Sequence, residues 1–286
     1  MQKAKHYFIV GTLVLSLFLA ACSKGEEQQT ESSVEVEPSE VTETTEETTK
    51  EVVTSLYDGR ITRAAEGFDQ KIVELREQNA DTIGWISIDG TENEYPLMQT
   101  EDNEFYLLHD FDKEDLPLGM PYLDASNSPW MTDQNSVIYG HMPYGERTMK
   151  FGVLRYYKDQ DYVDDAAKTV TITTNSGIYV YRLFSLHTVS AYAPYRDANV
   201  PEDEYVQFLQ ETKAASEVDF HFDRELTAKD RIVTLSTCTT EHDDDYRIAV
   251  VGVLEKAQLS PEAFATAEEF YASFDQENSP VQAEAK

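Results

Sequence analysis

Two side chains nine positions apart, Cys238 and Arg247, could do covalent chemistry together. Cys238 closes the run 232–238 (IVTLSTC), in which Ile232, Val233 and Leu235 read as a short β-strand. Arg247 opens a second apolar run, 248–254 (IAVVGVL). If the two strands are neighbours, thiol and guanidinium stand side by side. A cation beside a thiol favours the thiolate, the form that attacks carbonyl carbon. Taken alone, the same cysteine also suits the less favoured reading of a buried small hydrophobe. A proton carrier would have to come from among six histidines: His6, His109, His141, His187, His221 and His242. His242 is nearest in sequence but lies in the acidic run EHDDD, and catalytic geometry is assembled in space rather than along the chain.

Thr234-Leu235-Ser236-Thr237-Cys238 resembles the TLxTC signature of sortases, the bacterial cysteine transpeptidases, and the STC form with an arginine downstream resembles class B. The stretch 136–143 (SVIYGHMP) is similar to the class B motif that carries the catalytic histidine, which selects His141. Asp102-Asn103-Glu104-Phe105-Tyr106-Leu107 resembles the family's DNxxYL stretch, whose Asn and Leu help line the groove for the sorting signal. The resemblance therefore implies substrate-binding roles for Asn103 and Leu107, with Ser236 of the signature beside them. From the residues alone, Asn103 suits a local turn or cap at least as well.

The match runs from about 81 to 254 and implies a mainly β fold. That fold is the sortase closed barrel of about eight strands, with peripheral helices and no cofactor. The implied reaction is cleavage of a C-terminal sorting motif of surface proteins by Cys238 through a thioester. His141 would carry the proton and Arg247 would hold the oxyanion or the substrate backbone. The acyl group would pass to an amine of a cell-wall cross-bridge or a pilin. Two alternatives remain open: a secreted cysteine peptidase using the same Cys238 and His141, and a lipoprotein whose groove only binds peptides.

The elements that must position these residues are legible in outline. GWISI (84–88) and YPLMQ (95–99) read as strands joined through Asp89-Gly90, a strong turn signal. TVTITT and IYVYRLFSLHTV read as a hairpin about Asn175-Ser176-Gly177. The span 201–215 reads as an inserted amphipathic helix with Pro201 in its first turn and Tyr205, Phe208 and Leu209 on its apolar face; the resemblance places a long helix there. Helical periodicity in Phe68, Ile72 and Leu75 predicts an N-terminal helical segment over 55–80, ahead of a catalytic domain at 81–256. Ser260-Pro261 reads as an N-cap and first helical position, followed by Phe264, Phe270, Tyr271 and Phe274. This predicts a C-terminal helix over 257–275 and a disordered tail at 276–286.

Acidic residues outnumber basic ones 54 to 23, for a net charge of −31, which excludes nucleic acid as a partner. A hydrophobic content of 41% suffices for a folded core. No metal-ligand spacing is evident; Asp243-Asp244-Asp245 reads as a solvated loop. At the N-terminus, Lys3 and Lys5 precede an apolar run, 7–21, shorter than the ~20 residues a spanning helix needs and suited to a signal peptide. It ends in Leu19-Ala20-Ala21-Cys22, which resembles the lipobox of bacterial lipoproteins. The expectation is cleavage before Cys22, lipidation of Cys22 and anchoring on the extracytoplasmic face of the membrane. A family member of the usual kind keeps an N-terminal membrane helix instead. Residues 23–54 hold no aromatic side chain and are dense in Glu and Thr, the composition of a disordered acidic tether.

Overall fold

A computed structural model describes residues 55–64, 70–143, 145, 148–239 and 245–277. The signal segment with Cys22, the acidic tether, His242, Asp243, Asp244 and the tail beyond 277 lie outside the described residues. The elements are, in chain order, β1 (Ser55–Leu56), β2 (Ile61–Arg63), α1 (Gln70–Gln78), β3 (Thr82–Ile88), β4 (Glu94–Met98) and α2 (Phe105–Leu108). They continue as β5 (Tyr122–Leu123), β6 (Asn135–Tyr139), α3 (Gln160–Asp165), β7 (Thr169–Thr174), β8 (Gly177–Ser190) and α4 (Glu202–Ala214). β9 (Ile232–Cys238), β10 (Tyr246–Leu259) and α5 (Pro261–Glu277) complete the set.

Among the described residues the strands form one sheet in the order β1-β2-β10-β8-β7-β3-β4-β5-β6-β9, and β9 pairs back onto β10. Eight of them close a barrel, with β1 and β2 appended outside the ring. Closure gives most of the ring strands partners on both sides and leaves no long free edge. Most pairings are antiparallel; β2 lies parallel to β10, β4 to β5 and, as a further exception, β6 to β9. That exception matters, because it aligns the ends of two strands that carry chemistry.

The predicted hairpins form where the turn chemistry placed them. Gly90 adopts φ +76° after Asp89, a conformation that a side chain would strain. Asp89 also accepts from the hydroxyls of Thr169 (2.7 Å) and Thr171 (2.8 Å), which ties the end of β3 to β7. In β7 the alternation is visible in burial, with Val170 and Ile172 inside. β9 does not alternate, because both of its faces are covered. Leu235 and Val233 face the barrel core, whereas Ile232 meets Tyr205 and Leu209 of α4 from outside. The inserted helix therefore seals the strand that ends in Cys238.

Two predicted boundaries differ from the structure. The N-terminal segment is not helical from its start: Ser55–Leu56 and Ile61–Arg63 are strands, and among the described residues of 55–80 only Gln70–Gln78 is helix, with Phe68 lying outside the described residues. Tyr57, Asp58 and Gly59 all take positive φ, which no helix tolerates, and the β-branched Ile61 and Thr62 pair in parallel with Ala257 and Gln258. For the same reason the sheet runs past 256, and the C-terminal helix starts at Pro261 rather than 257. Ser260 caps it as predicted, its Oγ accepting the Ala263 N–H at 3.2 Å. Phe264 and Tyr271 bury the helix against the barrel, and Tyr271 stacks on Tyr57 with ring centroids 5.1 Å apart.

Candidate active site

The pairing of β9 with β10 sets Cys238 directly opposite Arg247. Thiol and guanidinium are thus cross-strand neighbours at the open end of the barrel. On the other side of β9, the parallel register matches Tyr139 of β6 with Ser236, and the Gly140 N–H donates to the Ser236 carbonyl at 3.2 Å. His141 lies two residues past Tyr139, and Cys238 two residues past Ser236, so the imidazole and the thiol leave their strands at the same level. His141 Nε2 donates to the Leu107 carbonyl at 2.8 Å. No hydrogen bond joins Cys238 to His141 among the described residues; a substrate between them would make the connection.

All six side chains singled out in the sequence for catalysis or substrate binding line one pocket: Asn103, Leu107, His141, Ser236, Cys238 and Arg247. The pocket measures about 190 Å³. A larger, mainly apolar cavity of about 510 Å³ lies between α5 and the barrel; no cysteine or histidine among the described residues lines it. Among the described residues no cluster of His, Cys, Asp and Glu could hold a metal ion. Cys238 itself is half-buried.

Asn103 is heavily engaged within the protein. Its Nδ2 donates to Asp124 (3.0 Å), its Oδ1 accepts the Ala125 N–H (2.8 Å) and its carbonyl accepts the Tyr122 phenol (2.9 Å). One amide hydrogen and one lone pair stay available to a ligand. Ser236 is buried, with its hydroxyl 2.9 Å from that of Tyr195. Leu107 gives an exposed apolar wall and, through its carbonyl, orients His141.

Beneath these residues lies a polar floor that the sequence does not reveal. The buried Asp124 carboxylate accepts from Tyr139 (2.7 Å) and Ser126 (2.7 Å) as well as Asn103. Burial opposes its ionisation, but these hydrogen bonds outweigh burial and hold its pKa below the usual range. Burial, reinforced by Asp124, pushes both Tyr139 and Tyr122 well above the ordinary phenol value, so both stay neutral donors.

The sequence matches the sortase domain over residues 86–255, a span that begins in β3, ends in β10 and contains Cys238, His141 and Arg247. The chain belongs to the sortase family. Its relatives place it in class B and make it a cysteine transpeptidase. Sortase B of Listeria monocytogenes is 31% identical over 211 residues, covering 72% of this chain and 80% of that protein. Sortase B of Staphylococcus aureus is 34% identical over 184 residues, covering 64% and 73%. The solved Staphylococcus aureus sortase B–substrate complex superposes with a TM-score of 0.59 at 31% identity, over 65% of this chain and 85% of that one.

Several pocket residues of this sortase carry no signal in the sequence. Tyr122, Tyr195, Arg196 and Ala191 come from a two-residue strand and from the connection after β8, where no periodicity marks them. Gly140 is legible only afterwards. A Cβ placed on it would lie 2.7 Å from the Phe151 ring, and the Phe151 N–H in turn donates to the His141 carbonyl at 3.0 Å. Gly140→Ala is therefore expected to destabilise the domain by about 1–3 kcal/mol through overpacking. It should also lower kcat, because the clash falls beside the catalytic histidine. Thermal unfolding and steady-state rates check this; a variant with wild-type stability and rate contradicts the packing argument.

Proposed function

We propose that this sortase cleaves the sorting signal of surface proteins and transfers the acyl part to an amine of the cell wall or of a pilin. The observation that carries the reading is the placement of Cys238 between Arg247 on β10 and His141 beyond β6, all on one pocket. The likeness to a sortase B solved as a substrate complex supports binding of a sorting-signal substrate.

In the first half-reaction the Cys238 thiolate attacks the scissile carbonyl, forming a C–S bond and a tetrahedral oxyanion. The Arg247 fork donates hydrogen bonds to that oxygen. With Nε2–H directed at the Leu107 carbonyl, Nδ1 is the nitrogen of His141 free to exchange a proton. The imidazolium gives that proton to the departing amine as the C–N bond breaks, leaving a thioester and a neutral imidazole. In the second half-reaction a neutral acceptor amine attacks the thioester carbonyl and His141 takes its proton. A new amide forms, Cys238 leaves as thiolate and the starting state returns. Asn103 and Leu107 hold the extended peptide, one through its remaining amide valences and the other through apolar contact, and Ser236 fixes the wall behind it through Tyr195. A sorting-motif peptide, an added amine and mass analysis of the products test this assignment.

The same proposal includes the anchor. Leu19-Ala20-Ala21-Cys22 marks cleavage before Cys22 and acylation there, with 23–54 as the tether to an extracytoplasmic domain. No helix among the described residues is long and apolar enough to cross a membrane. Expression of the full chain with a clickable fatty acid should label it, and Cys22→Ala should abolish the label and release the protein from membranes. Equal labelling of Cys22→Ala sinks this part of the reading.

A further inference from the structure

One charged side chain of the pocket has no part in the mechanism above. Arg196 belongs to the short turn Pro194–Arg196 that follows β8, and it lines the pocket with Cys238. Its backbone is fixed on both sides. The preceding Tyr195 is buried, with its hydroxyl 2.9 Å from Ser236 Oγ on β9. The amide of Asn135, wholly buried in β6, donates to the carbonyls of Tyr195 (3.0 Å) and Asp197 (3.2 Å). Asn135 is locked in turn by the Thr234 hydroxyl, which donates to its Oδ1 at 2.8 Å. The turn is rigid because two barrel strands hold it.

The side chain of Arg196 is held by nothing comparable. It is exposed and makes no hydrogen bond or ion pair with any described residue. In a chain with 54 acidic residues against 23 basic ones, an arginine on a fixed turn would ordinarily find a carboxylate. Asp197 follows it directly yet does not pair with it. None of the described residues lining the pocket is Asp or Glu, although two arginines and a histidine line it. Asp124 lies close by under Tyr139, but it is buried and already accepts from three side chains. Arg196 lies near enough to Tyr139, on the wall of the same pocket, for its charge to favour that phenol's ionised form against the larger effects of burial and Asp124.

We propose that Arg196 is a specificity determinant that pairs with a carboxylate side chain of the sorting peptide, so that this sortase prefers peptides bearing an acidic residue on the acyl side of the scissile bond. The guanidinium offers a planar fork that matches a carboxylate with two parallel hydrogen bonds, and the rigid turn pre-organises it. The surrounding protein is strongly acidic, so a local cation is what would let an anionic peptide settle there. This inference rests on the proposed function, since it takes the occupant of the pocket to be a sorting peptide.

The test uses peptide pairs that differ only by Asp against Asn, or Glu against Gln, at each position before the scissile bond. Binding to the full chain carrying Cys238→Ala is read by fluorescence anisotropy, and turnover by the enzyme with Cys238 intact. The expected result is tighter binding of one acidic peptide than of its amide partner by roughly ten- to a hundredfold, the usual scale of a charge-assisted pair. Arg196→Gln should erase that ratio, and Arg196→Glu should shift preference to Lys at the same position. Equal binding of acid and amide peptides at every position overturns the proposal. So does a ratio that survives Arg196→Gln, or failure to bind any acidic peptide. An acid preference in binding, with no amine-linked product from any peptide, upholds Arg196 and overturns transpeptidation instead. Amine-linked product without acid preference does the reverse.

Discussion

Replacement of Cys238 by alanine abolishes amide exchange, a loss on the order of 10⁴-fold or more in kcat, while the protein unfolds at the wild-type temperature. The size of the effect follows from chemistry. Both half-reactions run through one sulfur, and among the described residues no other cysteine, and no other nucleophile of comparable reactivity, lines the pocket. The lack of effect on stability follows from position. Cys238 is half-buried at the strand end, and the side chains that fill the core below it, Leu235 and Val233, belong to earlier positions of β9. Removing one sulfur there opens no sealed cavity. Product formation by mass spectrometry and thermal unfolding together check the pair of claims. Retained turnover would place the nucleophile elsewhere.

Arg247→Ala carries the second large effect, a fall of roughly 10²–10³ in kcat with KM little changed. The guanidinium is asked to meet an oxygen that is negative only in the transition state, and a group of that kind shows its loss in kcat. β10 is paired on both sides, with Val189 of β8 and Cys238 of β9 opposite Arg247, so the backbone that aims it is rigid. Arg247→Lys restores charge but not the planar fork, and should recover only part of the rate. A loss confined to KM would make Arg247 a substrate clamp. Full activity of Arg247→Lys would show that charge alone suffices.

The chemistry of this chain is more legible in its sequence than its edges are. Cys238 and Arg247 can be paired from sequence because each stands at the end of a continuous apolar run, and such runs are strands covered on both faces. His141 is different: its strand, 135–139, is short, and only likeness to a family motif distinguishes it from five other histidines. What brings it level with Cys238 is the parallel register of β6 on β9, a pairing between segments some hundred residues apart in sequence. No local pattern encodes that. The same holds for β1 and β2, where the pattern of 55–63 predicts the start of a helix. Strands of two and three residues are too short to alternate; β2 exists because Ala257–Leu259, far along the chain, offer it a partner, and β1 pairs onto β2 in turn. Asn103 is recognisable, but the buried carboxylate that holds it, Asp124, is not, since an aspartate in the loop DASNS looks like any solvated turn residue. Arg196 escapes notice for a related reason: its importance comes from Asn135 and Tyr195 fixing its backbone, and neither contact leaves a trace in the spacing.

The central claim is that an amine, not water, completes the reaction on a Cys238 thioester. The most direct measurement incubates the full chain with a library of sorting-motif peptides, with and without oligoglycine or a diamino acid, and follows both peptide products and intact enzyme by mass spectrometry. The account predicts an acyl adduct on Cys238 when amine is scarce, and its conversion to an amine-linked peptide as amine is added. Release of free acid alone at saturating amine, across every acceptor and peptide that is cleaved, would contradict it and make the protein a peptidase.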